Sequence, residues 1–356
     1  MKIVHVVEGF GGGVYSFLVD LCNSLAEENE VVLIYAIREQ TPKNFKKDFS
    51  NKIKLVNLSM SRNINPINDL KSIFRLIKIL NCEKADIVHL HSSKAGVLGR
   101  VASKLLKYKK EKVFYNPHGY AFLQENVSLH KRKFYFFVEK FMSKVNGINV
   151  AVSKGEYEET KKFTNNVVRI DNAINNIELE KVILNNKKRD NNELVVGTIG
   201  RIMYQKNPKM FNSIAKEFPN LKFIWIGDGD LRNQLSEKNI EITGWKDRYE
   251  AINLMNNIDI YLQTSLWEGL PIALLEAMYM GKPVIVNNVI GNRDVINNGK
   301  NGFIANDLGE FKRYIQELIN DKNLYYKVSK ESREYIINNH LVCDMLEKYK
   351  NLYKQV

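Results

Sequence analysis

The stretch SLWEGLPIALLEAMYMGKPVIV, residues 265–286, decides how this chain is read. Two acids, Glu268 and Glu276, frame its first half; Gly281 and a strand-like run, Pro283–Val286, complete it. A loop bearing one carboxylate runs into a helix bearing the second. Pro271 suits the first helical position, where its missing N–H is no loss. Were both acids helical, they would lie roughly 12 Å apart along the axis and about 80° around it. The backbone N–H groups of Gly269 and Leu270, at the positive end of the helix, suit a phosphate between them. A surface helix that happens to carry two acids explains the same letters, so the neighbouring segments decide.

Those segments alternate between short apolar strands and amphipathic helices, the signature of parallel sheets covered on both faces. Strand-like runs fall at Ile3–Val7, Val31–Ile37, Ile53–Leu58, Ile87–His91, Lys112–Asn116, Ile148–Val152 and Val167–Asp171. An asparagine-rich stretch, 172–192, interrupts the rhythm and reads as a linker. A second series follows, with strands at Leu194–Ile199, Phe223–Gly227, Ile240–Thr243, Ile258–Gln263 and Pro283–Asn287, and helices from Pro208 and near Leu231 and Ala251. The expected architecture is α/β: two Rossmann-like, doubly wound domains, 1–171 and 193–330, facing across a cleft. A helical segment, 331–356, is free to pack back on the first domain. Ligands of such sheets bind at the carboxyl ends of the strands.

Chemistry-bearing residues gather at those ends. EGFGGG, 8–13, follows the first strand, and Gly11, Gly12 and Gly13 allow close backbone approach to a phosphate or an acceptor. Val14 spoils the dinucleotide fingerprint, and a plain strand-to-helix turn is the alternative. GRIMYQKNP, 200–208, offers Arg201 as a donor fork and Lys206 as a point charge, a pair suited to a diphosphate. IGDGD, 226–230, reads as a turn and helix cap rather than a metal site. His118 in NPHGY and His91 in HLHSSKAG each follow or end a strand and could serve a hydroxyl or a proton transfer, or be structural.

Taken in order, these motifs, with AVSKGE (151–156), DNAIN (171–175) and GKNGFIAN (299–306), resemble the family 4 glycosyltransferases, retaining enzymes of the GT-B fold. The resemblance implies that Glu268 meets the donor sugar's hydroxyls and Glu276 the ribose of a nucleotide. Arg201 and Lys206 would hold the diphosphate, assisted by Gly269 and Leu270. His118 would contact the sugar near the reacting carbon, the Gly11–Gly13 loop would lie under phosphates and acceptor, and His91 could serve the acceptor. No cofactor and no bound metal are implied. Asn287-Asn288 departs from the family, whose members often carry a small hydroxyl residue and an acid there. The expected substrates are a nucleotide-sugar donor, UDP-linked, and a lipid-linked saccharide acceptor in surface-polysaccharide assembly. A sugar-nucleotide epimerase of the same fold, or a non-catalytic protein binding membranes or RNA, are the rival readings.

Composition bounds the rest. With 356 residues, 44% hydrophobic and 26% charged, the chain fits two soluble domains. The longest apolar run, Val31–Ile37, is too short for a membrane span, and Met1–Phe10 reads as a strand rather than a leader. Scattered cysteines at 22, 82 and 343 show no metal spacing and fit a cytoplasmic location. The net charge of +13 is uneven: residues 1–178 hold 28 Lys+Arg against 18 Asp+Glu. Lys104, Lys107, Lys109, Lys110 and Lys112 cluster together. KRKFYFFVEKFMSK, 131–144, mixes five cations with five aromatics and suits either a helix resting on anionic lipid or a core helix with one charged face. No RNA-binding motif is present, so no nucleic-acid partner is expected.

Overall fold

The computed structural model describes residues 1–61, 64–106, 112–185 and 193–355. The chain forms two compact units. One comprises Met1–Leu123, Val127–Asn172 and the C-terminal residues from Cys343; the other comprises Ala173–Val342 with Gln124–Asn126.

The first unit is built on seven strands: β1 (Lys2–Val7), β2 (Glu30–Tyr35), β3 (Lys54–Asn57), β4 (Ile87–His91), β5 (Lys112–Asn116), β6 (Ile148–Ala151) and β7 (Val167–Arg169). All neighbours are parallel, in the order β3-β2-β1-β4-β5-β6-β7. Consecutive residues Ile3 to Val7 of β1 are all buried, so both faces of the sheet are covered. The accompanying helices are α1 (Gly12–Leu25), α2 (Pro66–Glu83), α3 (Ser93–Lys104), α4 (Leu129–Val145) and α5 (Lys154–Lys161).

The second unit repeats the plan with β8 (Val195–Ile199), β9 (Lys222–Ile226), β10 (Ile240–Ile242), β11 (Ile260–Gln263), β12 (Val284–Asn287) and β13 (Phe303–Ala305), in the order β10-β9-β8-β11-β12-β13. Its helices are α6 (Asn176–Asn185), α7 (Pro208–Glu217), α8 (Arg248–Asn256), α9 (Ile272–Tyr279), α10 (Asn292–Val295), α11 (Leu308–Asn320) and α12 (Lys322–Asn339). Phe211, Phe223 and Trp225 fill its core in edge-to-face contacts. The last helix, α13 (Val342–Lys354), buries Tyr349 and Tyr353 in the first unit, where their hydroxyls meet Asn116 and His89.

Each sheet reverses its strand order once, between β1 and β4 and between β8 and β11. Loops leaving those strands are where ligands gather in folds of this kind.

Several local expectations differ. The asparagine-rich stretch supplies α6, because Leu179 and Val182 sit three positions apart and are both buried. The basic run at 187–190 lies outside the described residues, as do Lys107, Lys109 and Lys110. The turn after Leu231 is a single 3-10 turn, Arg232–Gln234, rather than a helix. Pro271 is the N-cap of α9, with extended ψ of 118°, not its first helical residue. Gly12 and Gly13 already belong to α1, and only Gly11 caps it from outside.

Candidate functional site

In the second unit, the loops leaving β8 and β11 are stitched together by polar contacts. Thr264 donates to the Lys206 carbonyl at 2.7 Å, the Leu266 amide donates to Gln205 at 2.8 Å, and Gln205 Nε2 donates to Trp267 at 2.8 Å. This clasp brings the glutamate loop against the basic loop. Glu268, 7% exposed, receives Lys206 Nζ at 2.7 Å and Gln263 Nε2 at 3.1 Å. Gln263 is in turn fixed by the Tyr261 hydroxyl at 2.9 Å. Glu268 therefore lies in a loop, as expected, and the helical spacing estimated for the two acids does not apply to it.

Glu276 sits in the second turn of α9 and is 4% exposed. Its Oε1 lies 2.8 Å from Arg248 Nη2, and Arg248 Nε donates to Glu178 at 2.8 Å. Burial opposes the Arg248 charge, but Glu276 and Glu178 outweigh it and raise its proton affinity further. The guanidinium thus fixes the orientation of Glu276 from α8. The sequence reading missed Arg248, Gln205 and Gln263. Arg248 follows a capping Asp247 and starts α8, a position with no local signal of a role twenty-eight residues away.

Arg201 follows β8 and donates to Asp230 at 2.8 Å, while Asp228 accepts from Arg232 at 2.7 Å and from the Gly229 amide at 2.8 Å. Asp230 thus braces Arg201 of the basic loop, while the Asp228 carboxylate shapes its own turn. The Asn287 departure also acquires a place: its Nδ2 donates to the carbonyls of Thr264 and Ser265 at 3.1 and 3.3 Å, bracing the start of the glutamate loop. Gly291, at φ +84°, packs against that loop's far side; a Cβ there would sit 2.4 Å from the Gly269 carbonyl oxygen. The first turn of α9 leaves amides without intrahelical acceptors beside Gly269 and Leu270, the ordinary setting for an anion.

In the first unit, α1 begins directly behind β1. Gly12 takes φ +54°, a left-handed conformation that glycine adopts without strain. His118 also takes a left-handed conformation, φ +53°, uncommon for a residue with a side chain. Glu156, fully buried, holds that turn by accepting from the Gly119 and Val152 amides at 2.7 and 2.9 Å. His91 is fully buried and does not face open surface, so a direct contact with an acceptor is not available to it. Instead its Nδ1 lies 3.1 Å from His118 Nε2, and its Nε2 lies 3.0 Å from His5 Nδ1. His5 Nε2 is buried and has no hydrogen-bond partner among the described residues.

This row of imidazoles has one protonation pattern that strands no buried N–H, the costliest group to leave unpaired. His5 carries its proton on Nδ1, His91 on Nδ1, and His118 is left with Nε2 as acceptor and Nδ1–H as donor. Burial lowers the proton affinity of His5 and of His118 to about 3. Burial, then charge on the neighbouring histidines, lowers His91 as well. All three are neutral near pH 7. His5, His89 and His91 also form the one histidine group among the described residues with ring nitrogens close enough for a shared ion. Both nitrogens of His89 are engaged, however, by Tyr353 and by Asn116 at 2.5 Å.

The comparisons with known proteins fit this picture. The sequence profile for glycosyltransferase family 4 matches residues 11–176, and that for glycosyl transferases group 1 matches residues 180–335. The chain is 32% identical over 322 residues to the UDP-Gal:alpha-D-GlcNAc-diphosphoundecaprenol alpha-1,3-galactosyltransferase of Escherichia coli, covering 83% of this chain and 82% of the relative. It is 27% identical to the capsular polysaccharide biosynthesis glycosyltransferase CapM of Staphylococcus aureus, covering 86% of each. The crystal structure of Anabaena HepE in complex with UDP and glucose superposes over the full length of both chains with a TM-score of 0.81 at 16% identity. A two-unit parallel α/β fold, paired acids and cations at the strand ends of the second unit, and relatives matched along most of the chain lead to one assignment: this protein is a glycosyltransferase of family 4, with the GT-B fold.

Proposed function

We propose that the protein transfers a hexose or N-acetylhexosamine, with retention of configuration, from a UDP-sugar to a lipid-linked saccharide during surface-polysaccharide assembly. The observation that carries this reading is two buried carboxylates in the second unit, Glu268 and Glu276, each held by a cation, Lys206 and Arg248 respectively, with Arg201 in the same loop as Lys206. The E. coli relative, whose name specifies a UDP-sugar and a diphosphoundecaprenol-linked saccharide, supports the substrate class.

The chemistry follows from charge. As the bond from the sugar's anomeric carbon to the leaving phosphate breaks, negative charge collects on the diphosphate. Lys206, Arg201 and the amides at the start of α9 would meet that charge; one such donor is typically worth about 3 kcal/mol. Glu276 would accept from the ribose hydroxyls and Glu268 from the sugar. His118 would donate through Nδ1–H to a substrate hydroxyl. The acceptor oxygen bonds to the anomeric carbon on the face the phosphate leaves, and its proton passes to the departing phosphate. No bound metal enters this scheme.

The test is a panel of UDP-sugars incubated with undecaprenyl-diphosphate-linked saccharides. Acceptor-dependent release of UDP with an α-linked product supports the reading. Release of UDP without any glycosylated lipid, from every donor tried, overturns it.

A further inference from the structure

Helix α4 is apolar on two faces: Met142 is buried and Tyr135 and Phe136 pack on the core, yet a second apolar stripe faces solvent. Its acid, Glu139, is buried, with its Oε2 3.9 Å from Arg100 Nη1 and its Oε1 accepting from Tyr115 at 2.9 Å. Its phenylalanines Phe134, Phe137 and Phe141 are 53%, 64% and 58% exposed. At 100° per residue they share an arc of about 60°. A solvated helix normally shows the reverse pattern. Helix α2 repeats it: Ile67, Leu70 and Phe74, at the same spacing, are 69%, 54% and 63% exposed, while Asp69 is tied to Lys94 of α3 at 2.7 Å.

Between them α3 is sunk into the sheet. A Cβ on Gly96 would lie 2.4 Å from Tyr115, and one on Gly99 2.2 Å from Leu90, so only glycine permits this depth. The two flanking helices both pack on α3 and both turn apolar side chains outward from it. Exposed cations rim each stripe: Lys71, Arg75 and Lys78 on α2, and Lys133, Lys140 and Lys144 on α4. Neither helix has an exposed acid.

We infer that α2 and α4 form a two-rail docking surface for an anionic lipid bilayer, the phenylalanines entering the interface and the lysines meeting the headgroups. Charge selects this occupant. A second copy of the same face would set cations against cations. A helix with an apolar stripe and a basic rim is the form that rests in a membrane interface. No helix among the described residues is long and apolar enough to cross a membrane, so the contact is lateral. The inference does not rest on the transfer reading, and its test contains no donor.

The experiment is flotation of the full chain with vesicles of phosphatidylcholine alone or mixed with phosphatidylglycerol, at low and high salt. Two triple variants accompany it, Phe134→Ser/Phe137→Ser/Phe141→Ser and Ile67→Ser/Leu70→Ser/Phe74→Ser. These side chains are exposed, so melting temperatures should match wild type. Binding to the anionic vesicles, weakened by salt and reduced at least tenfold in each variant, supports the proposal. Failure of wild type to float, or equal flotation of the variants, overturns it. So does a wild-type dimer that the variants convert to monomer, which would make a second copy the occupant, or binding to RNA unaffected by both variants.

Discussion

Lys206 Nζ stands 2.7 Å from Glu268 Oε1, both side chains largely shielded from water. The cation proposed to meet a diphosphate and the acid proposed to meet a sugar are thus held by one another, and each fixes the other's position. Removing Lys206 takes away charge stabilisation and leaves Glu268 buried with amide donors alone. Lys206→Ala should lower kcat by roughly 10²–10³, the scale of losing one preorganised donor. It should also lower the melting temperature, and the double variant Lys206→Ala/Glu268→Gln should recover part of that loss, because no unpaired buried charge remains. Melting curves of the three proteins check the coupling; additive losses would show that the two residues act separately.

Arg248 predicts differently. Its Nε serves Glu178 and its Nη2 serves Glu276, so one planar fork spans two acids. Arg248→Ala should weaken UDP binding about tenfold, equivalent to about 1.4 kcal/mol. Arg248→Lys should rescue little, because an ammonium cannot reproduce the fork. Calorimetric titration with UDP measures both; full rescue by lysine would reduce Arg248 to a point charge.

The imidazole row fixes a tautomer that can be observed. Ring ¹⁵N shifts should show His118 protonated at Nδ1 and bare at Nε2 at pH 7. Replacing His5 with leucine leaves the buried His91 Nε2 facing an apolar side chain, where a proton would again be stranded, so His118 should keep the same tautomer. Protonation of His118 at Nε2 in the wild type would contradict the assignment.

The same row sets an acid limit on stability. His5 binds a proton near pH 6.5 when unfolded but only near 3 when folded. Between those values the unfolded chain takes up more protons, so stability is complete above about pH 6.5 and falls as the pH drops toward 3. His5 alone should cost about 2 kcal/mol by pH 5. The melting temperature should therefore fall from pH 7 to pH 5, and His5→Leu should flatten the slope.

The proposed donor chemistry, carried by Lys206, Arg201 and backbone amides, predicts indifference to chelators. Transfer measured in excess EDTA should stay within about twofold of the untreated rate. Loss of transfer on chelation, restored by a divalent ion, would require a metal in the scheme.

The parallel sheets were legible because their strands are buried on both faces and so read as continuous apolar runs, as Ile3–Val7 and Val31–Tyr35 do. The glutamate loop was legible because both acids and the glycines sit in one contiguous segment. What escaped depends on which strands and helices become neighbours. His5 and His89 share a register position only because β1 pairs with β4. Arg248 meets Glu276 through the packing of α8, and Tyr349 reaches Asn116 across 233 positions. Helix α6 was hidden by asparagine, which marks turns by composition but leaves the three-residue apolar spacing of Leu179 and Val182 intact.

The central claim is a donor site in the second unit built on Glu276 and Lys206. Its most direct test is calorimetric titration of UDP-sugars into wild type, Glu276→Gln and Lys206→Met. One UDP-sugar should bind wild type and bind each variant at least tenfold more weakly. Equal affinity in all three proteins, with folding intact, would contradict the account.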